Sequence, residues 1–109
     1  MSGKNDVDIL RICLVEAERG DAQAQNKLGD IYRLVQVVDR DLVVANHWYR
    51  LAAEQGYVAA QYNLALMYRF GLGVKSCKEE AFKLYELAME QGRNAVELNK
   101  KKASHYSFF

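Results

Sequence analysis

His47-Trp48-Tyr49-Arg50-Leu51-Ala52-Ala53-Glu54-Gln55-Gly56-Tyr57-Val58-Ala59-Ala60-Gln61-Tyr62-Asn63-Leu64-Ala65-Leu66-Met67-Tyr68-Arg69 decides the fold. It reads as the end of one helix, a tight turn at Gly56 and the body of a second helix. Its parts recur without a gap at a spacing of 36 positions. Ala24-Gln25 returns as Ala60-Gln61, Leu28 as Leu64, and Tyr32-Arg33 as Tyr68-Arg69. Ala45, Tyr49, Ala52 and Glu54-Gln55 return as Ala81, Tyr85, Ala88 and Glu90-Gln91, and Gly20, Gly56 and Gly92 stand in the same phase. A fixed period of this size predicts stacked helical hairpins, each too thin to bury its apolar face alone.

The chain of 109 residues is one domain by length, and with 50% hydrophobic residues it can form a continuous core. The net charge of +1, with both signs mixed, predicts neither a nucleic-acid nor a membrane-surface binder. There is no proline and little β-branched alternation, which favours an all-α fold. Met1–Asp6 lacks the apolar stretch of a signal peptide, and no run is long enough to span a bilayer. Cys13 and Cys77 do not form a disulfide framework. These features predict a cytoplasmic protein with reduced thiols.

Taken in order, a first helix over about Asp6–Arg19 is the second half of an incomplete repeat. Ile9, Ile12, Cys13 and Glu16 lie on one side, and Asp6 or Asp8 is its cap. A second helix, about Ala22–Leu34, carries the stripe Ala24, Leu28, Ile31, Tyr32 and Val35. Gly29 within it implies close approach of a neighbouring helix. The following loop, Val35–Arg40, is valine-rich where its counterpart is Gly71-Leu72-Gly73-Val74. The two cannot share a path if either glycine has positive φ. A third helix starts at Asp41 as N-cap and ends at Gln55. A fourth, Val58 to about Phe70, faces inward with Ala60, Leu64, Ala65, Met67 and Tyr68. A fifth runs from Cys77 or Lys78 to Gln91, with Ala81, Leu84, Tyr85, Ala88 and Met89 as its core side. A sixth starts near Asn94. There Lys100, Lys101 and Ser104 stand where Leu64, Ala65 and Tyr68 stood, the polar outer face of a cap. The expected divisions are residues 6–19, a half repeat; 20–55 and 56–91, two full repeats; and 92–109, a capping helix and tail.

Ala45-Asn46-His47-Trp48-Tyr49-Arg50-Leu51-Ala52-Ala53-Glu54-Gln55-Gly56, Gly71-Leu72-Gly73-Val74 and Leu28-Gly29-Asp30-Ile31-Tyr32 resemble the Sel-1-like repeat family, relatives of the tetratricopeptide repeat. The resemblance covers about Gly20 to Gly92. It departs from the family at the valine-rich first loop and at Cys77, which takes the slot Asp41 fills in the first repeat. It implies a right-handed α-solenoid of about six antiparallel helices, serving as a non-catalytic scaffold or adaptor for another protein or peptide. An inhibitor or immunity protein that blocks a cognate enzyme or toxin is the alternative.

The residues themselves offer no catalytic constellation. His47 and His105 lie in different helices and lack the spacing of a metal face, so no metal or other cofactor is expected. Glu79-Glu80 stand at a helix start, where negative charge is favourable. Gly71-Leu72-Gly73 lacks the context of a phosphate loop. Cys13, in the Tyr49 slot, reads as core. Two surfaces remain. The first lies on the outward side of the first helices of the hairpins, which in tetratricopeptide-like stacks lines the concave groove. It comprises Asn26, Lys27, Asp30 and Arg33; then Tyr62, Asn63, Leu66 and Arg69; then Leu98, Asn99, Lys102 and His105. Tyr62, Leu66 and Arg69 have the composition of a binding hot spot, unless the first two pack on Phe70 or a neighbouring helix. The second is an apolar patch at Val35, Val37, Val38, Leu42 and Val43, suited to a partner or a second copy of the chain.

Overall fold

Leu28, Tyr49, Leu64 and Met67, each on the apolar face of its own helix, are buried in a stack of helices. The structure is a computed structural model. It describes the backbone of residues 2–34 and 41–106, and the side-chain environments of 7–34 and 41–94. The described residues form five helices and no strand: α1 (Ser2–Glu18), α2 (Ala22–Leu34), α3 (Leu42–Glu54), α4 (Val58–Phe70) and α5 (Lys78–Tyr106). Every substantial helix–helix contact joins neighbours in sequence. That is the one-dimensional packing of a solenoid. The radius of gyration is 16.5 Å, against about 13 Å for a globular domain of this length.

Local signals explain most of the boundaries. Asp41 caps α3 by accepting a hydrogen bond from the Val44 N–H at 3.1 Å. Asp21 does the same for α2 through the Ala24 N–H at 2.8 Å, a cap not picked out in the sequence. Gly71 closes α4 with φ +66°, and Gly73 follows at φ +71°. Both glycines therefore use the left-handed region that valine avoids. Val35–Arg40 lies outside the described residues, but its ends are anchored as in the second loop. The Asp41 N–H donates to the Tyr32 carbonyl and the Cys77 N–H to the Tyr68 carbonyl, each at 2.9 Å.

Successive repeats are locked by buried glutamines. Gln25 Nε2 donates to the Ala17 carbonyl at 3.1 Å, and 36 positions on Gln61 Nε2 donates to the Ala53 carbonyl at 3.2 Å. Each lock needs an alanine on the earlier helix so that the backbones approach. Gln55 adds bonds to the Gly20 carbonyl, 2.9 Å, and to Gln25 Oε1, 2.8 Å.

Three expectations differ from the structure, all at the ends of the stack. α1 starts at Ser2, so Asp6 and Asp8 lie inside the helix and not at its N-cap. Its core side, turned to α2, is Leu10, Cys13, Leu14 and Ala17, while Ile9 and Ile12 lie outside that cluster and are exposed. The largest difference is at Gly92. The expected fifth and sixth helices are one continuous helix, α5, and Gly92 has no positive φ. The sequence explains why the chain does not fold back. Met89 holds the slot of Ala17 and Ala53, and Glu97 holds the slot of Gln25 and Gln61. Lys100 holds the slot of Leu28 and Leu64. A carboxylate cannot donate the locking hydrogen bond to a carbonyl, and methionine leaves no room for close approach. Met89, expected on the core side, is accordingly 54% exposed.

Candidate functional site

α2 and α4 stand in equivalent places in successive hairpins, and the outer side of α4 carries Tyr62, Leu66 and Arg69 over successive turns. Tyr62 is 40% and Leu66 39% exposed. Tyr62 leans on Tyr85 of α5, ring centroids 6.0 Å apart with planes tilted by 53°. The ring is thus supported on one side and open on the other. The guanidinium of Arg69 lies 5.0 Å from the centre of the Phe70 ring, a cation–π arrangement. Beyond it a pocket of about 310 Å³ is lined by Arg69, Lys78, Ala81, Phe82 and Tyr85. Two cations and two aromatic rings around an alanine floor suit an apolar side chain accompanied by negative charge.

Asn26 and Asn63 are brought together, with Asn63 Nδ2 donating to Asn26 Oδ1 at 3.0 Å. Lys27 is exposed beside them. Asn99, the third asparagine of the series, lies with Leu98, Lys102 and His105 on the continuation of α5. A continuous helix does not place these four on a strip folded back beside α4.

Asp30 and Arg33 are engaged within the repeat. The Tyr49 hydroxyl donates to Asp30 Oδ1, and Arg33 Nε donates to the Tyr49 oxygen at 2.9 Å. Arg33 and Asp30 also pair at 3.4 Å. Burial raises the Tyr49 pKa well above its ordinary value, and the bond to Tyr49 raises that of Arg33. Tyr49 lies over Gly29. A Cβ built on Gly29 would stand 2.8 Å from Cζ of the ring and nearer still to Cδ1 and Cε1. Close approach is therefore why glycine is there. One repeat later Ala65 replaces Gly29 and Leu66 replaces Asp30, so the second repeat has no such network and presents an apolar side chain instead. Arg50 makes the link to the next hairpin, donating to Asn46 Oδ1 at 3.3 Å and to the Tyr68 oxygen. These cross-helix pairs were not singled out in the sequence; the in-phase Tyr32-Arg33 and Tyr68-Arg69 were the available signal.

In the apolar patch, Val35, Val37 and Val38 lie outside the described residues. Leu42 is partly buried and packs on the core beneath Gly73, while Val43 is exposed. Cys13 is buried and its Sγ–H donates to the Ala24 carbonyl at 3.2 Å; desolvation raises its pKa. Among the described residues no group of three His, Cys, Asp or Glu side chains is placed to hold a metal, and no helix is long and apolar enough to cross a membrane.

Helices whose substantial contacts are with their sequence neighbours, joined by in-phase glutamine locks, define a short helical-repeat solenoid. The comparisons with known proteins agree. The family model of the Sel1 repeat matches residues 22–57 and 58–92, and the chain belongs to the Sel1 repeat family. Its fold is similar to that of a Sel1 repeat protein from Oxalobacter formigenes, with a TM-score of 0.74 and 30% identity, over 75% of this chain and 63% of that one. It is also similar to a protective antigen present in uropathogenic Escherichia coli strains displaying an SLR fold. There the TM-score is 0.73 and the identity 40%, over 76% of this chain and 18% of that one. The matched part thus spans less than two thirds of either protein. No curated protein matches the chain. Sel1 repeats are generally protein–protein interaction scaffolds.

Proposed function

We propose that the protein is a non-catalytic cytoplasmic adaptor. Its partner-binding surface runs from Asn26, Lys27, Asp30 and Arg33 on α2 to Tyr62, Asn63, Leu66 and Arg69 on α4. The observation that carries this reading is the pair Tyr62 and Leu66, side by side and about two-fifths exposed, with Arg69 one turn on. Aromatic and arginine side chains held in place before binding lose little entropy on docking and dominate interface energetics. The bonded pair Asn26–Asn63 keeps one amide NH2 and one amide oxygen free, the complement of a peptide unit's C=O and N–H. The surface therefore suits an extended segment of another protein, with an apolar side chain on Tyr62 and Leu66 and a carboxylate near Arg69.

The test is affinity capture of the partner followed by titration. Tyr62→Ala should weaken binding by roughly 2 kcal/mol or more while helical content and melting temperature stay near those of the parent. A large loss of stability with unchanged affinity in the folded fraction would show that Tyr62 is core and that the binding surface is elsewhere. A captured enzyme or toxin whose activity falls on binding would assign the surface to an inhibitor instead.

A further inference from the structure

We propose that the outer face of α5 is a self-complementary surface on which a second copy of the chain docks antiparallel. Wherever the stack continues, the side of a hairpin's second helix that faces the next hairpin is covered. Asn46 and Ala53 on α3 are each only 6% exposed there. Thirty-six positions on, the same slots in α5 hold Phe82 and Met89, 63% and 54% exposed. Small or polar residues suited to close approach by a following helix have become large apolar ones. This face is built for a different neighbour, seated further out.

The spacing identifies that neighbour. Glu79, Phe82, Glu86, Met89 and Arg93 follow one another at alternating steps of three and four residues, so they form one strip along the helix on which a second helix can lie. Val96, Lys100 and Ala103 continue the steps in the sequence. One set of positions is apolar throughout. The other reads Glu79, Glu86, Arg93, Lys100, negative in its first half and positive in its second. Parallel pairing of two copies would set like charges side by side. Antiparallel pairing about a twofold axis near Met89 sets Glu86 against the second copy's Arg93, with Met89 against Met89. Opposite charge at the Glu86–Arg93 layer favours one orientation and penalises the other. The surface is centred on Met89, away from α2, and meets the surface of α4 only at Phe82, which also lines the pocket beside Arg69.

The experiment is sedimentation velocity on the full chain over a range of concentrations, at low and high salt. The parent should show a concentration-dependent dimer that weakens as salt rises. Met89→Asp should abolish it. Glu86→Arg and Arg93→Glu should each weaken the dimer at least about tenfold, since each sets like charges together. The double variant Glu86→Arg/Arg93→Glu should recover it, because in an isologous interface the swap restores both pairs. Circular dichroism of each variant checks that the helices remain. A parent that is monomeric at all concentrations overturns the proposal. So does a dimer that both single charge reversals leave intact, or one that the double variant fails to rescue. A dimer lost with Val43→Asp and kept with Met89→Asp assigns association to the start of α3 instead.

Discussion

Replacing either of two helical glycines by alanine should change stability in opposite directions. At Gly29 the added methyl would lie 2.8 Å from Tyr49 Cζ and closer to two other ring carbons, where carbon–carbon contact is comfortable near roughly 3.5–4.0 Å. The ring must therefore move by about 1 Å. It has nowhere to go, being fully buried with its hydroxyl held between Asp30 and Arg33. Overpacking of this kind costs about 1–3 kcal/mol, and loosening the buried hydroxyl adds about 1 kcal/mol more. Alanine returns about 1 kcal/mol in helix propensity. The net loss is about 1–3 kcal/mol, which at roughly 4 °C per kcal/mol for a chain of this size lowers Tm by about 4–12 °C. At Gly92 nothing lies within 4 Å of the added methyl and the backbone is helical. Only the propensity gain of about 0.5–1 kcal/mol remains, a rise of a few degrees.

Urea and thermal melts followed by circular dichroism measure both variants against the parent. A Gly29→Ala protein as stable as the parent would mean that Tyr49 has room and that the glycine has no packing reason. A Gly92→Ala protein that loses about 1 kcal/mol or more would mean that residue 92 takes the left-handed turn of Gly56, with a sixth helix folded back.

Other perturbations test the remaining contacts. Gln61→Glu puts a carboxylate in a fully buried slot facing a carbonyl, and should destabilise by about 3 kcal/mol or more at neutral pH. Only the protonated acid can donate, so its folded pKa lies above the unfolded value; melts should show the variant least impaired in acid and losing stability as pH rises. Asp41→Ala removes the α3 cap and should cost about 1 kcal/mol by urea titration. In a native thiol-labelling assay Cys77, partly exposed, should react promptly, while Cys13, buried and with its pKa raised, should react only at the rate of opening or unfolding.

The period made the interior of the stack legible. Once Tyr49 and Tyr85, or Leu28 and Leu64, are in phase, each helix's neighbours follow, and with them the buried face. Asp41 and Gly71 could be read because their signals act within a few residues. The candidate site was legible in part. Tyr62 and Leu66 show as apolar side chains in slots that α2 fills with Asn or Asp. That Asp30 and Arg33 are tied to Tyr49 depends on contacts 19 and 16 residues apart, set by how two helices cross. No local pattern carries that.

Position in the register says what a residue would touch if a neighbour were packed there, and on the outer faces of α1 and α5 no described helix is. Ile12 stands in the slot of Trp48 and is exposed, with no described helix packed over it. Gly56 and Gly92 are the same residue in the same phase, yet Gly56 turns with φ +89° and Gly92 continues a helix. Glycine permits the left-handed turn without imposing it. The turn is favoured only when the chain beyond it gains by packing back. After Gly56 come Gln61, which locks onto the Ala53 carbonyl, and Leu64, which is buried. After Gly92 come Glu97 and Lys100, which at those slots have nothing to gain. Fold-back thus depends on a few side chains five to eight residues beyond the glycine, and those same changes leave Phe82 and Met89 uncovered on α5.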